Sequence, residues 1–93
     1  MNKPLSCSGQ DLLEAAIVQK RRLNLHCLDE SGKVINYPKI LPIDVTTSGG
    51  KEQLTFMTTD NAGGIIKLSL NTALITAFEA DDFFDPRIEF KAN

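Results

Sequence analysis

No run of eighteen apolar residues occurs in this 93-residue chain, so the sequence offers no helix able to cross a bilayer. Residues 1–8 lack the apolar stretch of a secretory signal. Only two cysteines are present, Cys7 and Cys27, too few for the disulfide framework of a small secreted domain. The expectation is therefore a cytoplasmic protein with two free thiols, a single Cys7–Cys27 bridge being the lesser alternative. His26 is the sole histidine, and no HxxxH or CxxC spacing supplies it with fellow ligands, so no metal centre is expected. Cys27 adjoins it, but neighbouring strand residues face opposite ways and cannot act as a nucleophile and its base. Catalysis is not expected, and no residue pattern calls for a cofactor.

Aromatic residues are scarce as well: in the strand regions only Tyr37, Phe56 and Phe78 occur, two of them expected in the core. Base stacking needs exposed rings, so nucleic-acid binding is weakly indicated. A net charge of −2 does not point to it either. The pairs Gly49-Gly50 and Gly63-Gly64 lie between strands, whereas phosphate-cradling glycines lead from a strand into a helix. They read as turn residues with positive φ.

What is present suits one globular domain spanning 1–93, with 42% hydrophobic residues and charge of both signs. Leu12, Leu13, Ala16 and Ile17 form one apolar stripe, predicting a helix over about 9–21. Ser8 and Asp11 have the spacing of a capping box, and Lys20, Arg21 and Arg22 suit the negative end of the helix dipole. From about 22 to 90 the period becomes two. Strands are expected at 23–28, 34–47, 52–59, 65–70 and 72–78, the last two hinged at Asn71, with a short final strand at 87–90. Turns fall at Asp29–Lys33, Ser48–Lys51 and Asp60–Gly64. Pro38 and Pro42 interrupt the second strand, which must be an edge, bulged or broken there. The fold class is mainly β, a small barrel or sandwich of five to six antiparallel strands preceded by one amphipathic helix.

Charged clusters supply the candidate contacts. Asp11 and Glu14 share a helix flank, Asp29 and Glu30 sit in the first hairpin, and Asp81, Asp82 and Asp85 form a third acidic group. Together they suit a basic partner surface. Lys20, Arg21 and Arg22 are the alternative, an RNA-phosphate contact or simply a solvated helix end.

The stretch Pro4-Leu5-Ser6-Cys7-Ser8-Gly9-Gln10-Asp11-Leu12-Leu13-Glu14-Ala15-Ala16 resembles the opening of the Rof family, a Pro-x-x-Cys lead-in, an Asp and a Leu-Glu-x-Ala helix. The layout that follows is similar through about Phe90: the hairpin at Asp29–Lys33, a loop with Lys51, and the strands Ile66-Lys67-Leu68-Ser69-Leu70 and Ile75-Thr76-Ala77-Phe78. The resemblance implies an Sm-like β-barrel behind a helix, in a bacterial antiterminator. Such a protein binds the transcription termination factor Rho and obstructs its RNA-binding surface, without catalysis. Carried over by position, Asp11 and Glu14 match acidic helix positions and Lys51 a polar loop contact. The chain departs from the family at Ser8, Gly9 and Gln10, where extra acidic or aromatic residues are common. It departs again at Ser69-Leu70-Asn71, in place of Arg-Leu-Asp. Residues 21–83 also look like a WYL domain, an Sm-like ligand- or nucleic-acid-sensing module, through Pro42-Ile43-Asp44-Val45. The Trp-Tyr-Leu signature is replaced by Gln53-Leu54-Thr55.

Overall fold

A computed structural model describes residues 7–82 and 87–92. Helix α1 (Cys7–Val18) buries Leu13 and Ala16 completely and rests Leu12 and Ala15 on the same core. It starts and stops earlier than its sequence suggests. Ser8 already lies within the helix, so the Ser8–Asp11 pair does not stand at its start as a capping box. At the other end Lys20 turns left-handed, with φ 54°. The Arg21 amide then donates to the Ala16 carbonyl (2.9 Å) and the Lys20 amide to Ile17 (3.2 Å). These paired bonds form a Schellman motif, which ends the helix before the basic cluster.

Six strands follow among the described residues: β1 (Leu23–Leu28), β2 (Val34–Ser48), β3 (Lys51–Thr59), β4 (Ile65–Asn71), β5 (Ile75–Ala80) and β6 (Glu89–Lys91). The expected hinge at Asn71 separates β4 from β5, but residues 72–74, read as the start of the second strand, form a 3₁₀ turn (Thr72–Leu74). The Asn71 side chain caps it by accepting the Ala73 amide (2.9 Å). The strands form one antiparallel sheet in the order β4-β3-β2-β1-β5-β6.

The mainly β fold with one leading helix is thus the observed one, but the sheet is open rather than a closed barrel. Closure would require the two edge strands, β4 and β6, to pair, and among the described residues β4 pairs with β3 and β6 with β5. The edges among the described residues are β4 and β6.

The fifteen-residue β2 serves two neighbours, its first half pairing with β1 and its second with β3. Between Leu23↔Ile40 and Leu25↔Tyr37 it carries an extra residue at Pro38-Lys39, and Ile43 is the extra residue between Pro42↔Phe56 and Asp44↔Thr55. Such bulges bend a strand, and a proline fits them because the ladder is already interrupted. Lys39 is left-handed at the first bulge (φ 54°), its amide donating to Asn24 Oδ1 (3.0 Å) while its carbonyl accepts from Arg22 Nη1 (3.2 Å). The prolines therefore bulge a central strand and blunt no edge.

The bend folds the inner faces over one core. Leu23 and Leu25 from β1, Ile40 from β2, Leu54 and Phe56 from β3 and Phe78 from β5 meet Leu13 of α1 there. Each such side chain contributes about 1.5–3 kcal/mol by leaving water. Tyr37 meets Phe56 edge-on at 5.3 Å, and Phe90 stacks on Phe78 at 5.1 Å, which fastens the three-residue β6 to the sheet.

A cleft framed by three turns as the candidate functional site

Two of the hairpins are built alike. Asp29 accepts the Gly32 amide at its carbonyl (3.0 Å), and its amide donates to Lys33 (2.8 Å). Asp60 does the same with Gly63 (3.0 Å) and Gly64 (2.8 Å). In each, the aspartate Oδ1 also takes amides of the loop: Ser31 and Lys33 at 2.9 Å for Asp29, Ala62 (2.9 Å) and Gly64 (2.8 Å) for Asp60. Gly32 and Gly63 supply the left-handed step that closes these three-residue loops. The Ser31 hydroxyl adds a further bond to Asp29 (2.6 Å), and this bond, then the Lys33 amide, holds the Asp29 carboxyl below its usual range. Asp29 is thus a group of fixed direction whose Oδ1 is taken up by its own turn.

The β1–β2 hairpin, the β2–β3 hairpin and the 3₁₀ turn enclose a cleft of about 640 Å³. Asp29 and Glu30 stand on one side, Lys51 and Glu52 on another, and Asn71 and Thr72 close it. Glu52 is its fastener. One carboxylate oxygen accepts from Gln10 of α1 (2.6 Å), the other from the hydroxyl of buried Thr72 (2.8 Å). The helix is thereby tied to the cleft across β3.

Three of the five expected partner contacts, Asp29, Glu30 and Lys51, are therefore brought together. Asp11 and Glu14 do not line the cleft. They are exposed on α1, beside and one turn beyond the anchored Gln10. Glu52, Asn71 and Thr72 were not singled out from sequence, although Glu52 shares the inward face of β3 with Leu54 and Phe56, where a carboxylate demands a partner.

The basic cluster separates into three different roles. Arg21 is buried and grips Asp82 through Nη2 (2.5 Å) and Nε (3.3 Å), with Gln19 on Nη1 (3.3 Å). Its guanidinium is engaged within the fold and is not a solvated helix end. Arg22 and Lys20 are exposed, Arg22 bracing the Lys39 bulge. In the third acidic group Asp81 is exposed, Asp82 is engaged by Arg21, and Asp85 lies outside the described residues.

His26 is held on the outer face of β1 by Asn36 Oδ1 on Nδ1 (2.8 Å) and Glu79 Oε1 on Nε2 (3.1 Å). The Asn36 bond first, then the Glu79 bond, raises its pKa. Cys27 is buried and free, and burial, then the Asp29 charge, pushes its thiol up, disfavouring the nucleophilic thiolate. Among the described residues no group of three His, Cys, Asp or Glu is placed to hold a metal ion, and no helix is long and apolar enough to cross a membrane. The chain matches no known protein-family model and no curated protein.

Proposed function

We propose that this is a non-enzymatic, cytoplasmic protein-binding inhibitor of the Rof kind, which occupies the RNA-binding surface of bacterial Rho and so opposes Rho-dependent termination. The observation that carries the reading is the cleft that gathers Asp29, Glu30 and Lys51 and is pinned by Glu52 to the helix bearing Asp11 and Glu14. Carboxylates fixed on a rigid rim suit a groove built to hold phosphates. Complementary charge steers the two surfaces together and competes with the nucleic-acid backbone. The helix-then-antiparallel-sheet layout agrees with the resemblance of residues 4–16 to Rof proteins. The alternative, an Sm-like or WYL-like RNA or ligand module using Lys20, Arg21 and Arg22, is weakened by the engagement of Arg21 with Asp82.

The test is a titration of purified Rho with the protein at low salt, with cytidine-rich RNA as competitor. Binding that the RNA displaces is expected, with Glu14→Lys and Glu30→Lys each weakening it about fivefold or more, the effect of reversing one contact worth about 1 kcal/mol. Both residues are exposed, so folding is expected to survive. An absence of Rho binding at low salt overturns the proposal.

A further inference from the structure

A second depression lies at the opposite end of β3 from the cleft. Lys51 begins that nine-residue strand and Thr59 ends it, a separation of about 26 Å. The bends of β2 and the ends of β3 and β4 enclose a groove of about 490 Å³. Pro38, Leu41, Met57 and Ile65 give it an apolar surface, and Arg22 and Lys39 stand in its wall. Leu41 pairs with Met57, and Ile65 with Thr59, which shares Met57's face. That face is opposite the one carrying the buried Phe56, so the apolar side chains point outward. Ile65 is 71% exposed, an uncommon situation for an isoleucine that belongs to a strand.

Two further features define an occupant. Among the described residues no carboxylate lines the groove, whereas two cations do, one of them on a bulge whose backbone is fixed from both sides by Asn24 and Arg22. Ile65 also opens β4, which among the described residues pairs only with β3. This edge has no proline and a single charged residue, Lys67, so it lacks most of the devices that keep edges unpaired. Among the described residues single-stranded nucleic acid would find cations here but no aromatic ring on which to stack a base. An extended peptide meets all three features at once, as an added strand with an apolar side chain in the groove and carboxylates toward the cations.

We propose that the groove and the β4 edge form a docking site for an extended segment of another protein, bearing a bulky apolar side chain with carboxylates two residues to either side, on the same face of the strand. The site is separate from the acidic cleft and does not depend on how that cleft is used.

A fluorescent peptide with leucine and glutamate in turn at every second position and serine between them, so that both face the groove, tests this on the full chain, beside the same peptide with lysine for glutamate and a cytidine-rich RNA of equal length. The acidic peptide is expected to bind best, to weaken with salt, and to slow amide exchange along β4. Lys39→Gly removes the charge while suiting the left-handed backbone, and is expected to weaken the peptide about fivefold. Ile65→Lys, at an exposed position, is expected to abolish binding, and Glu30→Lys in the cleft to change it less than twofold. Failure of the acidic peptide to bind at low salt overturns the proposal. So does equal binding of the lysine peptide, tighter binding of the RNA, or unchanged affinity in a folded Ile65→Lys protein.

Discussion

Lys20 occupies a backbone region that L-residues other than asparagine and aspartate enter at a cost of about 1–2 kcal/mol. It does so because the chain must turn sharply after α1 to deliver Leu23 to the core, and the Schellman bonds at Ala16 and Ile17 fix that turn. Glycine is the residue this position favours, although it also gives the unfolded chain more freedom. Lys20→Gly is therefore expected to stabilise the protein by about 0.5–1 kcal/mol, a rise of several degrees in Tm by calorimetry for a domain of this size. An unchanged or lower Tm would show that the lysine stem contributes packing equal to the strain. The same residue explains why the helix end was illegible. With no glycine to mark it, the stripe at Leu12, Leu13, Ala16 and Ile17 runs straight into Lys20-Arg21-Arg22, and the basic run looks like the last turn. Lys39 hides the first bulge in the same manner, although Pro38 beside it signals that the ladder is interrupted.

At the scale of elements, the pieces governed by local chemistry were legible and those governed by pairing were not. The turns at Asp29–Lys33 and Asp60–Gly64 announce themselves, because an aspartate and a left-handed glycine three residues later suffice to close them. The strands show by alternation, as in β1, where every second residue is buried. The strand order, and with it the open sheet, depends on pairing between strands far apart in sequence, which no local pattern encodes. The 3₁₀ turn was read as strand because Thr72-Ala73-Leu74 looks apolar and extended until the Asn71 side chain is seen to cap it.

One pairing has a measurable consequence. His26 on β1 links Asn36 on β2 to Glu79 on β5, and both acceptors favour the imidazolium, so its pKa is raised in the folded state. The linkage then stabilises the fold fully below the unfolded value of about 6.5, and the contribution is lost as pH rises through the higher folded value. With the His26 and Glu79 side chains 35% and 33% exposed, solvent screening limits the effect to a few tenths of a kcal/mol. The clean readout is an NMR titration of His26, whose midpoint is expected to fall toward the ordinary value in Glu79→Gln.

At the scale of the molecule, the chain is held by a clasp that the linear sequence disguises as surface charge. Arg21, where the helix hands over to β1, grips Asp82, which follows β5, across 61 residues. The Asp81 amide donates to the Arg22 carbonyl beside it (2.9 Å), so side chain and backbone close the same seam. Arg21 is buried while Asp82 is partly exposed, an asymmetry that decides the outcome of mutation. Removing the arginine leaves a carboxylate that can still be hydrated. Removing Asp82 leaves a guanidinium sealed in the interior without its carboxylate, the more costly of the two defects. Breaking a fully buried pair costs about 3–5 kcal/mol, so about 2–3 kcal/mol is expected for Asp82→Ala and somewhat less for Arg21→Ala. Coupling between the two in a double-mutant cycle is expected to exceed about 1 kcal/mol, read from denaturant midpoints. A domain of this length has only about 5–14 kcal/mol of stability in all. Loss of RNA binding in an Arg21 variant would therefore report unfolding as readily as a lost phosphate contact. Lys20→Gln and Arg22→Gln are the substitutions that isolate charge at the helix exit. Coupling near zero would show instead that the interior tolerates Arg21 alone, and would return it to the set of residues available to a partner.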